Sequence, residues 1–346
     1  MVVSWSRIME KERYDYIDTL RLCSILFIVL SHFDGECFYY LTGISMMQTH
    51  LAKNGRLGLL MYGWTGKYAL ALLCVISGFL TAMKYAGKKE CDVGEFIISR
   101  YFRLMLPVMA SNFLFGIVLK LKGEPVNVRA YLKTALIPGW SEANRNLWCI
   151  GSFLVGNILI CLICYLQNRS FRPMVLYPGL LLLLVLLGDV WLLATVAGGF
   201  CYEAAWRLKQ SGLAGNWWLL VILPMVWLLP RGEESTVIYY RDIAAAMLIM
   251  TAFYCLPVLQ RLFACRFLKP LKKCCYSLFV VHGMTLFLLG PAWNLVQRLG
   301  ISGGGGIFIS LFAVIFCIDL LAAYVVYYLS EVKLYRTIVK GFLPDR

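Results

Sequence analysis

The sequence predicts an all-α integral membrane protein, a bundle of about ten transmembrane helices with both termini in the cytoplasm. Of its 346 residues, 60% are hydrophobic and only 15% are charged, and the mean hydropathy of +0.72 is far above that of soluble domains. Its apolar stretches approach or exceed the roughly 20 residues that cross a bilayer as a helix. Because these stretches are continuous rather than alternating, the pattern excludes a membrane β-barrel.

The spans follow the apolar runs in chain order. The first is not a cleaved signal peptide, because it lacks a small-residue cleavage site and many spans follow it. Gly188 and Asp189 divide one long apolar stretch into two spans, and Pro230 ends the span that precedes it. The spans are predicted at Ile17–Phe33, Tyr68–Met83, Arg103–Leu119, Leu147–Leu166, Met174–Leu187, Val190–Ala205, Trp217–Leu229, Ile243–Leu259, Tyr276–Val296 and Ile307–Leu329.

Lysine and arginine are unevenly distributed between the spans. The N-terminus, the loops after spans two, four, six and eight, and the C-terminus hold 21 of them, counting Arg103 at the start of the third span, whereas the other loops hold 11. Cytoplasmic loops carry the excess of positive charge, so both termini are predicted to be cytoplasmic. The net charge of +14 has the same cause. A nucleic-acid-binding surface is disfavoured, since the basic residues lie in short loops between spans.

The domain organisation is predicted to be simple. No hydrophilic segment is long enough for a second domain, so residues 1–346 are predicted to form a single transmembrane domain without a separate soluble domain. The thirteen cysteines lie mostly within apolar spans, as Cys161 and Cys164 do, which is typical of small buried apolar residues. Neither a metal site nor a disulfide framework is predicted. The Gly303–Gly306 run lacks the Lys-Ser/Thr of a P-loop and predicts a turn before the last span.

The first span carries two ionisable groups, Arg21 and His32. Charges within a span usually line a cavity, pair with a partner or reach the interface, because burial in lipid is costly. The predicted orientation places Arg21 about one turn inside the cytoplasmic face, and His32 roughly 16 Å further outward. A plainer alternative is that Arg21 reaches the interface or pairs with Asp18, and that His32 is an interfacial residue beside Asp34 and Glu36.

A second basic feature begins the third span. Arg100 and Arg103 are three residues apart, so they share one face of a helix at its cytoplasmic end. Paired guanidinium groups suit phosphate, because their planar donors match phosphate oxygens bidentately. The general excess of positive charge on the cytoplasmic side, or anionic lipid, also explains such a pair.

Taken together, these motifs resemble the acyltransferase-3 family of polytopic membrane acyltransferases. The likeness covers most of the chain, and it rests on five short motifs in order and register. They are Arg21 with His32, Ser77-Gly78-Phe79, Arg100 and Arg103 with Pro107, Leu147-Trp148, and Ser277 with His282.

The resemblance implies an O-acyltransferase of the cell membrane. Such a protein moves an acyl group, usually acetyl, from acyl-CoA to a hydroxyl of a glycan or other cell-envelope molecule. It implies that His32 is catalytic and that Arg21, Arg100 and Arg103 hold the CoA phosphates, with acyl-CoA as co-substrate and no bound cofactor. Many members that modify envelope glycans carry a Glu soon after the Leu-Trp motif, where this chain has Gly151–Leu154. That difference bears on the class of acceptor.

The residues themselves fit this chemistry. Transfer from a thioester to an alcohol needs a base for the hydroxyl proton, and imidazole titrates near working pH. His32 is the predicted general base, with a transient acyl-histidine as the alternative. Asp34 or Glu36 would orient its imidazole. Ser277 and His282 are candidate contacts for the acceptor or for CoA, although a lone His in a span also serves to bond neighbouring helices.

A transporter or flippase is the competing prediction. In that case Arg21, His32 and His282 would relay a proton or a substrate across the bilayer. The sequence lacks the inverted repeat and the paired broken helices that many transporters have. An arginine pair suited to phosphate at one end of a span also favours the acyltransferase, while acylation coupled to export remains open.

Overall fold

The computed structural model describes residues 15–46, 66–87, 92–169, 171–212, 236–283 and 288–342, and these are almost entirely helical, without a strand. The helices are α1 (Asp15–His32), α2 (Tyr39–Thr42), α3 (Gly66–Tyr85), α4 (Val93–Leu121), α5 (Val128–Leu136), α6 (Ile150–Gln167), α7 (Pro173–Leu187), α8 (Val190–Gln210), α9 (Thr236–Cys255), α10 (Pro257–Phe263), α11 (Lys269–Val281), α12 (Leu289–Arg298), α13 (Gly304–Tyr327) and α14 (Tyr335–Phe342). Two π-helical turns, Phe33–Phe38 and Tyr328–Leu334, extend α1 and α13.

Within these residues, five helical segments are long and apolar enough to cross a membrane. They are Asp15–Thr42, Gly66–Tyr85, Val93–Leu121, Ile150–Gln167 and Gly304–Ile338, and a bent pair of helices would make a sixth. The chain is therefore an all-helical membrane protein, as predicted. The count of ten spans and the cytoplasmic termini remain predictions, and the span predicted at Trp217–Leu229 lies outside the described residues.

The predicted eighth span is not one straight helix. Helix α9 ends at Cys255 and α10 begins at Pro257, with a bend of 96° between them. Leu256 takes an extended conformation there, with φ −103° and ψ 107°. Proline clashes with a helical residue before it, which explains why the turn falls at Leu256.

Two other predicted ends differ from the structure. The ninth span was predicted to run without a break through His282, but α11 ends at Val281 and α12 begins at Leu289. The first span was predicted to end near Phe33, yet a π-helical turn and α2 continue it to Thr42. Gly43 then stops it with a left-handed φ of 68°. His32 and His282 therefore both lie where regular helix ends.

The chain contacts form two compact units. The first comprises residues 1–26, 63–96 and 155–272, and the second comprises 27–62, 97–154 and 273–346. In the first unit, α3 and α8 pack backbone to backbone, because glycines remove the side chains between them. A Cβ on Gly78 would collide with the Thr195 carbonyl, and one on Gly198 would collide with the Val75 carbonyl. Small residues allow close contacts of this kind between membrane helices, so Gly78 has a packing role.

A buried polar cluster lies beside these glycines. Asn157 of α6 donates through Nδ2 to Ser77 Oγ at 3.0 Å, and its Oδ1 accepts a hydrogen bond from Thr81. All the polar atoms of the Asn157 side chain are thus used between helices α3 and α6 in the first unit. Such bonds stabilise helix contacts where no water is available to replace them.

The second unit has its own apolar core. The π-helical turn after His32 packs there against α12 and α13, with Phe33 and Phe38 edge-on to Phe308. The buried members of this cluster are Phe33, Cys37, Phe38, Leu289, Ala292, Val296, Leu311 and Ile315. Since His32 precedes this turn directly, the cluster fixes the position from which its side chain extends.

We predict that Gly78→Ala lowers the thermal stability of the detergent-solubilised protein. Alanine is the better helix former, but its Cβ has to displace the Thr195 carbonyl, and overpacking of this kind costs about 1–3 kcal/mol. Gly179→Ala is the matched control, because that helical glycine has no atom within 4 Å of the added Cβ. Equal melting temperatures for the two variants would contradict the close contact between α3 and α8.

Candidate active site

Two histidines meet in the second unit. His32 Nδ1 and His282 Nε2 are 3.3 Å apart, and the ring centroids are separated by 5.1 Å with a 52° tilt. His282 is buried, whereas His32 is half-buried. The sequence separates the two residues by 250 positions, so the fold makes this pair. It brings together the predicted catalytic residue and a residue predicted to contact the acceptor or CoA.

The end of α11 holds the His282 ring in place. A helix leaves its last carbonyl groups without partners inside the helix. His282 Nδ1 is 2.7 Å from the Phe279 carbonyl oxygen, and Asn144 Nδ2 donates to the Val280 carbonyl at 3.1 Å. Both side chains therefore bond carbonyl groups of the last helical turn, where a helix does not supply all the partners itself.

These contacts determine where the protons lie in a neutral pair. A carbonyl oxygen only accepts, so Nδ1 of His282 carries the proton and its Nε2 carries the lone pair. His32 Nδ1 then carries a proton and donates a hydrogen bond to His282 Nε2. The remaining nitrogen of His32, Nε2, carries a basic lone pair. An imidazole held in one tautomer by a second group is the arrangement that general-base catalysis uses.

Two asparagines complete the surroundings of His282. Asn146 Nδ2 is 3.5 Å from His282 Nε2, and Asn144 Oδ1 accepts from the Asn146 backbone at 3.2 Å. Gly283 allows this approach, because a Cβ there would collide with Asn146 Nδ2. The sequence reasoning missed both asparagines. Their position just before the Leu147-Trp148 motif was the available signal.

The arginine pair lies on α4, which begins ten residues before the predicted third span. Arg103 is exposed and Arg100 is half-buried. Pro107 lies inside this helix and has no N–H, so it cannot bond the Arg103 carbonyl in the regular pattern. Tyr276 of α11 donates to the next carbonyl, that of Leu104, at 2.9 Å. This bond joins the arginine-bearing helix to α11, which ends just before His282.

Ser277 contacts the π-helical turn that follows α13. Its Oγ donates to Glu331 Oε1 at 3.3 Å, and Glu331 belongs to the π-helical turn after α13. One helical turn from Arg103, Ser99 bonds Tyr335 through their hydroxyls at 2.9 Å. Glu331 is a third residue that the sequence reasoning missed, although an acidic residue ending an apolar run was visible.

Asp34 lies two residues after His32 and is buried. Its carboxylate accepts from Ser45 Oγ at 2.5 Å and from the Met46 backbone at 2.9 Å. These bonds attach the segment after α2 to the π-helical turn. The predicted contact of Asp34 with the His32 imidazole remains a prediction. The side chain of Glu36, predicted for the same role, lies outside what the structure describes.

Arg21 belongs to the first unit. Its Nη1 is 3.2 Å from Asp18 Oδ1, which is the ion pair that the sequence allows as an alternative. Both side chains are substantially exposed, at 29% and 47%, so this pair contributes little stability. A guanidinium carries five N–H donors, so the pair with Asp18 leaves the predicted phosphate contact of Arg21 open.

Comparison with known proteins identifies one family. A family model described as an acyltransferase domain matches residues 14–328, which is nearly the whole chain. The resemblance predicted from the five sequence motifs is thereby confirmed. No curated protein and no solved structure matches the chain.

We predict that Asp34→Ala destabilises the protein chiefly by releasing Ser45 and Met46. Removing a buried acceptor of two hydrogen bonds leaves both donors unsatisfied, which costs about 1–3 kcal/mol for each. Thermal melts of Asp34→Ala, Ser45→Ala and the double variant measure the coupling, and the two losses should not add. Fully additive losses would show that Asp34 acts through other partners.

Proposed function

Because the chain belongs to the acyltransferase-3 family, we propose that it moves an acyl group from cytoplasmic acyl-CoA to a hydroxyl on the other side of the membrane. An acetyl group is the leading candidate, and the acceptor is a glycan or another molecule of the cell envelope. The proposed location is the plasma membrane, which the helical membrane fold accommodates.

The contact between His32 and His282 is the observation that carries this proposal. Acyl transfer to an alcohol requires a base whose lone pair is oriented and whose pKa suits the working pH. The tautomer derived from the Phe279 carbonyl provides that lone pair on His32 Nε2. A histidine that serves only to join two helices would not require its partner imidazole to be fixed by a third group.

The proposed reaction proceeds by general-base catalysis. His32 Nε2 takes the proton of the acceptor hydroxyl while the hydroxyl oxygen forms a bond to the thioester carbonyl carbon. The C–S bond then breaks, CoA leaves as a thiolate, and the imidazolium returns the proton to the sulfur. His282 is a positioning residue in this scheme, since it accepts from His32 Nδ1 and touches no reacting atom. The apolar surroundings limit hydrolysis of the thioester by water.

Arg100 and Arg103 are the proposed contacts for the phosphates of CoA. CoA is highly anionic, and a guanidinium pair on one face of α4 presents planar donors to phosphate oxygens. Arg103 is exposed and so accessible to a soluble donor. The proposed binding of Arg21 to the same ligand rests on the sequence motif.

The function is tested by comparing envelope glycans from cells with and without this protein by mass spectrometry. A mass difference on one glycan identifies the acyl group and its carrier together. The purified protein should also transfer label from acyl-labelled acyl-CoA to that glycan. Export of the glycan by proteoliposomes that contain no acyl-CoA, without any label transfer, would instead indicate a transporter.

We predict that His32→Ala abolishes acyl transfer while the protein still inserts and folds. The change removes the base without adding charge or bulk, and the loss of a general base is expected to lower the rate by about 10²–10⁴-fold. Label transfer by the purified variant measures this, with its melting temperature as the control for folding. Turnover close to that of the parent would exclude His32 as the base.

We predict that His282→Leu lowers kcat at least about tenfold with little change in the KM for acyl-CoA. Leucine cannot accept a hydrogen bond from His32 Nδ1, so residue 282 no longer fixes the tautomer of His32. His282→Gln is the matched variant, because its Oε1 is an acceptor, and it should recover much of the lost rate. Equal activity of the two variants would show that His282 has only a packing role.

A further inference from the structure

Asn112 of α4 has a buried side chain whose hydrogen-bonding groups are unused. It is only 2% exposed, and neither its Nδ2 nor its Oδ1 has a hydrogen-bond partner in the part of the chain that the structure describes. It lies on the buried face of α4, at helical spacing from Met105, Val108, Phe115 and Leu119. A polar group in such a place is costly unless something bonds it.

A second buried asparagine shows what a purely structural role looks like in this protein. Asn157 bonds Ser77 through its amide nitrogen and Thr81 through its amide oxygen. Both side chains are buried in helices, yet the residues that the structure describes satisfy only the carboxamide of Asn157. The difference indicates that Asn112 faces a ligand or water rather than a neighbouring helix.

We propose that the Asn112 carboxamide binds an amide of the pantetheine arm of acyl-CoA. This inference rests on the proposed function, in which acyl-CoA is the donor. A carboxamide offers N–H donors and a carbonyl acceptor side by side, and an amide of the arm matches both. The arm is neutral, so it enters an apolar region at the cost of its hydrogen bonds to water, which Asn112 replaces.

The position of Asn112 along α4 fits this ligand. CoA carries its amides between the phosphates and the sulfur, and α4 carries the proposed phosphate contacts in its first half. Asn112 follows Arg103 by nine residues, which is about 14 Å of helix. These nine residues are about two and a half turns, so Asn112 points to the opposite side of α4 from Arg103. The donor therefore holds its phosphates at the level of Arg100 and Arg103 and passes to the buried side of α4, where its amides reach the level of Asn112.

The depth of the histidine pair agrees with this arrangement. Tyr276 is bonded to Leu104, and Asn112 lies about 12 Å beyond Leu104 along α4. His282 lies about 9 Å beyond Tyr276 along α11. Both helices run outward in the predicted orientation, so Asn112 and the histidines lie at similar depths. The amide nearest the sulfur is therefore the one assigned to Asn112.

The test compares the binding of CoA with that of adenosine 3′,5′-bisphosphate, which has CoA's nucleotide end but no pantetheine arm. Isothermal titration calorimetry on the full chain in nanodiscs gives both Kd values. Asn112→Leu should weaken CoA binding about tenfold, the effect of losing a pair of amide hydrogen bonds, and leave the binding of the bisphosphate unchanged. Asn112→Ser removes the same carboxamide without added apolar bulk and should behave alike.

Thermal melts of the free protein separate ligand binding from a structural role. Asn112→Leu should melt at or above the temperature of the parent, because it removes an unsatisfied buried group. Asn157→Leu is the matched control and should melt lower, because it breaks the bonds to Ser77 and Thr81. Equal destabilisation of the two variants would assign Asn112 to a water-bonded structural role and overturn the proposal.

The outcomes also test the Asn112 assignment separately from the proposed acyltransferase function. A parent that binds CoA, with Asn112→Leu and Asn112→Ser binding it equally well, overturns the Asn112 assignment alone. If the parent protein binds neither CoA nor the bisphosphate, acyl-CoA is not the donor, and the Asn112 assignment is then wrong as well.

Discussion

The end of helix α11 inside the protein is the constraint on which the candidate site depends. Carbonyl groups at a helix end need partners, and apolar surroundings offer no water to supply them. The His282 ring bonds the Phe279 carbonyl and Asn144 bonds the Val280 carbonyl. The bond that satisfies the Phe279 carbonyl also fixes the tautomer of the two imidazoles. The same contact therefore stabilises this helix end and orients the groups of the proposed chemistry.

Along helix α4, charge gives way to neutral polarity with depth. Arg103 is exposed, whereas in the middle of the same helix the polar groups are those of Ser111 and Asn112, both buried, and charge returns only at the exposed Lys120 in the last turn. A charged group is costly in the apolar interior, while an uncharged group that finds a hydrogen bond is tolerated there. In the proposed function, the acyl-CoA donor changes in the same way along its length, from an anionic nucleotide end to a neutral pantetheine arm.

The sequence predicted the helical membrane fold, the family and the residues from which the site is argued. It did so because a long continuous apolar run can cross lipid only as a helix, and because each motif lies within a short stretch of sequence. It could not predict the contact of His32 with His282, which joins segments 250 residues apart. It also missed Asn144 and Asn146, since periodicity gives no information on where a loop residue folds. The breaks at Leu256 and after Val281 depend on local backbone conformation, which hydropathy does not measure.

The segment after Leu147-Trp148 shows how this chain manages without the Glu that many glycan-modifying relatives carry there. Gly151 packs against the backbone of Pro138 and Gly139, with an added Cβ on Gly151 only 3.2 Å from the Pro138 carbonyl oxygen. A carboxylate at this position would require that backbone to move. The carboxamides of Asn144 and Asn146 lie near His282. A neutral carboxamide stabilises an imidazolium less than a carboxylate does, so on the proposed mechanism these two asparagines act on the base through the position of His282 rather than through charge.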